Sequence, residues 1–216
     1  VVAYYRRDLW AMTTESTQIR FNQVLKPNQR LAIMLLIGTI PAAFAGAALG
    51  PYVEEIRSPA LIAVNLIAFG LLLGYADRAR EQVREVSTLT NRDALLIGCA
   101  QMLALIPGTS RSGIVITACL LLGLTRAGAA RYSFLLAVPI TALAGSKGAF
   151  DLLRGAASIE WDTFVLAVCA SAIASFITIS VFLRVIRRIG MLPFVIYRVV
   201  LGSIVLLLIA FGLLSA

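Results

Sequence analysis

Residues 105–113 read LIPGTSRSG. Upstream, residues 94–106 carry one polar side chain, Gln101, and downstream, residues 114–124 carry one hydroxyl, Thr117. Between them stand Pro107, Gly108, Thr109, Ser110, Arg111, Ser112 and Gly113. These residue types suit an oxyanion. Pro107 ends an incoming helix because it cannot continue the hydrogen-bond ladder. Gly108 opens backbone angles closed to other residues. Ser110 or Ser112 can N-cap an outgoing helix, expected over roughly 113–123. The N–H groups and positive dipole end of that helix form an anion site. Arg111 adds a planar, permanently charged fork matched to phosphate oxygens. The candidate site residues are Arg111, Ser110 and Ser112, with Gly108, Thr109, Gly113 and Thr117 as candidates to contact the anion. The rival reading, that Arg111 pairs with an acid on another helix and the hydroxyls only cap, is weaker, because intramembrane arginines are costly and usually functional.

The surroundings are apolar enough for that last point to apply. The chain of 216 residues is 60% hydrophobic and 14% charged, with a mean hydropathy of +0.91, against about a quarter charged in soluble domains. Nearly charge-free windows at 31–49, 59–76, 132–150, 163–183 and 193–214 predict spanning helices. The chain opens VVAYYRRDLW, and residues 1–5 read as the last turn of a further span whose beginning lies before residue 1. The fold class is thus all-α, a polytopic membrane protein with about five to six spanning helices. Residues 94–123 fit differently. Pro107-Gly108 cuts them into pieces of about 13 and 11 residues, which reach about 20 Å and 16 Å, short of a hydrocarbon core of about 30 Å.

Charge distribution decides how that segment runs. If 94–123 enters and leaves on one side, 14 of the 19 lysines and arginines fall in loops on that side, and three, Arg57, Lys147 and Arg154, on the other. The remaining two, Arg111 and Arg198, lie within apolar stretches. The positive-inside bias favours this arrangement, so 94–123 is expected to be a re-entrant helical hairpin with cytoplasmic ends and its tip near mid-membrane. Irregular backbone at that depth needs protein or a water-filled cavity around it. The order hairpin, span, span, span from residue 94 onward suggests an inverted repeat. In this reading residues 1–216 form a single membrane domain, with 1–93 the remainder of a first repeat, whose own hairpin precedes the chain, and 94–216 the second.

The net charge of +8 is topogenic rather than a nucleic-acid signal. The chain has no histidine, which removes histidine acid/base chemistry, histidine metal ligands and any lipid phosphatase built on paired histidines. No metal ligands are expected within this chain. Cys99, Cys119 and Cys169 read as buried small hydrophobes.

The stretches DALLIGCAQMLALIPGTSRSG (93–113) and LTRAGAARYSFLLAVPITALAG (124–145) resemble the undecaprenyl-pyrophosphate phosphatases, also called bacitracin-resistance proteins. GTIPAA (38–43), LLLGYADR (71–78) and FVIYRVVLG (194–202) fit the same family, so the resemblance covers essentially the whole chain. It implies an enzyme of the bacterial inner membrane that hydrolyses undecaprenyl pyrophosphate to the monophosphate and inorganic phosphate, recycling the carrier for peptidoglycan synthesis. It further implies an active site open to the outer face, a divalent cation (Mg or Ca), and partners limited to the polyprenyl pyrophosphate and the bilayer, with a homodimer as the one protein partner considered. Two features depart from the family pattern. Its first signature, an EGLTEFLP-VSSTGH-like hairpin that supplies glutamates, serines and a histidine, is absent, and the cation's ligands are expected there. The usual SRSG-x-T reads SRSG-I-V, with Val115 at the Thr position; Thr117 lies about 200° further round a helix and does not replace it. A carrier or flippase for a phosphorylated lipid is the alternative function, since inverted repeats with broken helices also build transporters.

Outside the motif, Arg198 is read either as snorkelling to the interface or as a structural or substrate residue. Asp77 and Arg78 read as topogenic and capping, and DRAREQVRE (77–85) as a solvated cytoplasmic helix. Gln101 either bonds a neighbouring helix or faces the cavity. Ala167, Ala170, Ser171, Ala172, Ala174 and Ser175 are expected to allow close helix packing.

Overall fold

The computed structural model describes residues 1–16, 25–153 and 160–214. Arg20 and Arg154, counted above in the loops, lie outside the described residues. The helices in chain order are α1 (Arg6–Ser16), α2 (Pro27–Glu55), α3 (Pro59–Ala79), α4 (Asn91–Met102), α5 (Arg111–Leu121), α6 (Arg126–Leu153), α7 (Trp161–Ile189) and α8 (Leu192–Ala210). Five of them, α2, α3, α6, α7 and α8, are long and apolar enough to cross a membrane. Residues 1–5, expected as the end of a further span, form a turn that runs on into α1 through Tyr5 N–H to Val1 O and Leu9 N–H to Tyr5 O. Residues 6–16, which follow that expected span end, are therefore helical.

The short helices α4 and α5 are the hairpin. Thr90 caps α4, accepting from Asp93 N–H at 3.2 Å, while the Asp93 carboxylate accepts from Thr90 N–H at 3.0 Å. The far end of α5 returns to the same place. Arg84 N–H donates to Gly123 O at 2.9 Å and Thr125 N–H to Arg84 O at 2.9 Å. The Arg84 guanidinium then reaches Leu122 O at 2.9 Å and Asp93 Oδ2 at 2.7 Å. Both ends of the hairpin are thus tied to one residue. The same bonds correct the reading of 77–85 as a helix. The chain leaves helix after Ala79 and runs extended, because the backbone and side chain of Arg84 are spent on the hairpin. Asp77 is more than a cap. It pairs with Arg126 Nε at 2.6 Å and Nη2 at 3.0 Å and accepts from Met191 N–H at 3.4 Å, tying α3 to α6 and to the α7–α8 turn.

Asp93 offers a test of this closure. Burial raises its carboxyl pKa, but the Arg84 hydrogen bond and those of Thr90 outweigh burial and hold it below the ordinary carboxylate value. A depressed carboxyl stabilises the fold above its unfolded pKa, and that stability is lost as pH falls through the folded value. The detergent-solubilised protein should therefore lose Tm on acidification below about pH 4. Asp93→Asn should start from a lower Tm at neutral pH and fall less steeply; parallel curves would rule the closure out as the cause.

At the centre lies α5, whose Val115, Ile116, Cys119 and Leu120 are all buried among α3, α4 and α6. Two close approaches hold this core. Gly98 of α4 meets Gly38 of α2 so tightly that a Cβ there would sit 2.6 Å from Gly38 O. Fully buried Tyr132 of α6 donates its hydroxyl to Met34 O at 2.9 Å. By contrast, α7 is exposed over most of its length. Its small residues at 167–175 are all exposed, so among the described residues they do not mediate close helix packing. Cys119 is buried, whereas Cys99 and Cys169 are exposed, which corrects their reading as core residues; all three are free.

Candidate anion site at the hairpin tip

The tip is built from residues 106–113. Helix α4 closes with a 3₁₀ turn at Leu103–Leu105, and Pro107 follows where the ladder stops. Gly108 has φ +89°, and a Cβ there would lie 2.4 Å from Ile62 O, so the tip backbone presses directly on α3. Asn65 of α3 donates its amide to Pro107 O at 2.9 Å. Ser110 has φ +70°, the one non-glycine in the left-handed region among the described residues. Such strain costs about 1–3 kcal/mol and concentrates at functional sites. Ser110 caps α5, its Oγ accepting from Gly113 N–H at 3.3 Å. The helix starts at Arg111, two residues earlier than expected. The N–H groups of Arg111 and Ser112 therefore stand at the open end of the helix, with no intrahelical acceptor.

Arg198 of α8 holds this bend from behind. It is only 8% exposed. Its Nη2 donates to Thr109 O at 2.9 Å and to Gly108 O at 3.0 Å, and its Nε to Leu66 O at 3.3 Å. The guanidinium is directed inward to carbonyls, not outward to the interface, so the snorkelling alternative falls. Gly202, one turn further along α8, would place a Cβ 2.7 Å from Ala63 O, and this close approach to α3 lets the buried arginine lie against both α3 and the tip.

Arg111 projects the other way, into a cleft of about 410 Å³ between α5, α6 and α7. Its neighbours there include Ser112, Ser133, Ser175 and Thr178, with Phe134 and Ala137 on the apolar wall. Among the described residues no carboxylate pairs with Arg111 or Arg198. The Arg111 guanidinium and the helix N-terminus thus meet in one cleft inside an apolar bundle with no carboxylate counter-charge among the described residues, while Arg198 braces the bend from the other side. An anion with several oxygens is the chemical complement.

This is the setting in which the comparisons bear on the chain. A family model described as Bacitracin resistance protein BacA matches residues 1–204. The chain belongs to the bacitracin resistance protein BacA family. Among its relatives, an undecaprenyl-diphosphatase 2 of Stutzerimonas stutzeri is 47% identical over 212 residues, covering 96% of this chain and 78% of that protein. An undecaprenyl-diphosphatase of Nitrosococcus oceani is 46% identical over 205 residues, covering 94% of this chain and 77% of the relative. One of Alteromonas mediterranea is 42% identical over 207 residues.

Within this BacA chain, the expected site residues divide. Arg111 and Ser112 face the cleft, and Ser110 and Gly113 line its neighbour. Gly108 and Thr109 are turned to Arg198 through their carbonyls, and Thr109 is fully buried, so they shape the tip rather than line the cleft. Thr117 is displaced from the expected set. It is 2% exposed and its hydroxyl donates to Gly113 O at 2.7 Å within α5. Val115 is 1% exposed in the apolar core, so the position of the family's usual Thr presents nothing to the cleft here. Gln101 is buried, with its Nε2 unpartnered among the described residues. Sequence reading missed Asn65, Ser133 and Arg84. Asn65 was legible as a lone polar group in an apolar run; the role of Arg84 was hidden in a loop of many charges.

The divalent cation implied by the family resemblance finds no seat in this donor set. Guanidinium groups and hydroxyls line the cleft, and the described residues hold no group of three or more Asp, Glu, Cys or His. The described residues therefore do not fit the cation, and no step is routed through it.

Proposed function

We infer that this chain is an undecaprenyl-diphosphatase, an integral membrane hydrolase that converts undecaprenyl pyrophosphate to undecaprenyl phosphate and inorganic phosphate. The observation that carries the reading is Arg111, unpaired among the described residues, beside the open N-terminus of α5 in a hydroxyl-lined cleft. In the proposed reaction water attacks the terminal phosphorus and the anhydride P–O bond breaks toward the lipid phosphate. Negative charge grows on the bridging oxygen. Arg111 and the N–H groups of Arg111 and Ser112 stabilise that charge, where fixed donors act without reorganising. The Ser112 and Ser133 hydroxyls orient the phosphate oxygens. Ser110 shapes the bend rather than attacks, since its Oγ is engaged with Gly113 N–H.

An opening toward the outer face belongs to the same proposal. Asp77, Arg84, Arg126 and the 190–191 turn meet at the end of the bundle that holds the hairpin's two ends, and clustered basic loops favour the cytoplasm. The divalent cation enters the proposal only as a requirement of the reaction. The test is release of inorganic phosphate from undecaprenyl pyrophosphate by the purified protein in detergent, with magnesium or calcium and again with excess EDTA. Release with the cation and its loss in EDTA are expected. Binding of the lipid without release in either condition would mark a carrier and sink the phosphatase.

A further inference from the structure

The cleft that holds Arg111 is not isolated. A second cavity, of about 180 Å³, lies on the other side of the α5 N-terminus, between α5, α7 and α8. The two share Ser112. Their chemistry differs. The second cavity is polar only at the shared end, where Ser110, Ser112 and Arg198 stand, and beyond it the walls are Leu73, Ile116, Phe182, Met191, Phe194 and Tyr197. An aromatic row connects them. Phe134, which lines the Arg111 cleft, meets Phe182 edge-on with ring centroids 5.5 Å apart, and Phe182 meets Phe194 at 4.6 Å. At the outer end Tyr197 is 63% exposed on α8, so the row ends at the bilayer-facing surface.

An amphiphile with a charged head and an unsaturated apolar tail matches this sequence of surfaces in order. We propose that the second cavity seats the first isoprene units of the polyprenyl chain, with the pyrophosphate in the Arg111 cleft, so that the protein selects for the tail as well as the head. This inference rests on the phosphatase reading above and adds a specificity element to it. Phe182 and Phe194 are the residues that carry the selection. They pack on the chain where it leaves the phosphate, and Tyr197 lines its exit into lipid. The fit comes from flat rings against a planar, trisubstituted double bond, held at a fixed distance from the anchored head.

The experiment compares kcat/KM for undecaprenyl pyrophosphate with kcat/KM for methyl pyrophosphate, which has the head and no tail, in one detergent. The ratio within each variant is independent of how much of the preparation is active. Phe194→Ala and Phe182→Ala should each lower that ratio roughly tenfold, the size of effect that loss of a buried aromatic surface produces. Phe194→Leu, which keeps most of the apolar volume but loses the flat ring, should recover only part of that ratio. Equal losses on both substrates, or none, would overturn the subsite and show that bilayer lipid alone fills the cavity. Wild-type protein that releases phosphate from neither substrate would instead overturn the phosphatase reading, and this inference with it.

Discussion

Arg111→Ala is expected to lower phosphate release on the order of 10³-fold, the loss seen when a positioned donor to developing phosphate charge is removed. The fold should survive. Arg111 is exposed to the cleft and pairs with no carboxylate among the described residues, so truncation orphans no buried partner. Tm in detergent should stay close to wild type. Arg111→Lys keeps the charge but loses the planar fork, and should recover only a small part of the rate. Turnover near wild type in Arg111→Ala would leave the hairpin tip without a catalytic role. A parallel collapse of Tm would make Arg111 a structural residue.

Arg198→Lys should separate positioning from contact. Arg198 serves four carbonyls, those of Asn65, Leu66, Gly108 and Thr109, from one rigid plane. An ammonium has three donors but no fixed fork, so it cannot span them together. Each buried carbonyl left unpaired costs about 1–3 kcal/mol. The lysine variant should fold with a lowered Tm and lose kcat while KM changes little, because the bend that aims α5 relaxes but the cleft keeps Arg111. Arg198→Leu orphans the tip carbonyls of Gly108 and Thr109, which no helix ladder satisfies, and should lose far more stability. If Arg198→Lys instead raised KM alone at unchanged kcat, Arg198 would be a direct phosphate ligand and not the support of the bend.

The two arginines show what could be read early and what could not. Both were visible as lone charges in apolar runs; the cost of a buried guanidinium marked Arg111 as functional, while Arg198 was left between snorkelling and a structural or substrate role. Their division of labour was not visible. Sequence spacing cannot say which way a side chain leaves its helix, and only the packing of α8 on α3 turns Arg198 inward to the tip. The direction of the Thr117 side chain was hidden for the same reason. Its hydroxyl can satisfy itself on Gly113 O one turn back, and a buried hydroxyl takes the local acceptor when no cleft reaches it.

The sequence by itself determined the all-α membrane class, five of the spanning helices, the break into two short helices and the motif between them. Hydropathy windows, a proline-glycine break and the asymmetry of basic loops are local or additive signals, so they need no tertiary contact to be read. The tertiary structure alone decided the closure at Arg84, the bracing of the tip by Asn65 and Arg198, the placement of α5 at the centre, and the aromatic row beside the anion cleft. Each of those joins residues far apart in the chain. Their pairing is set by how apolar helices pack and by which buried carbonyls must find a donor, and neither is written in any one segment.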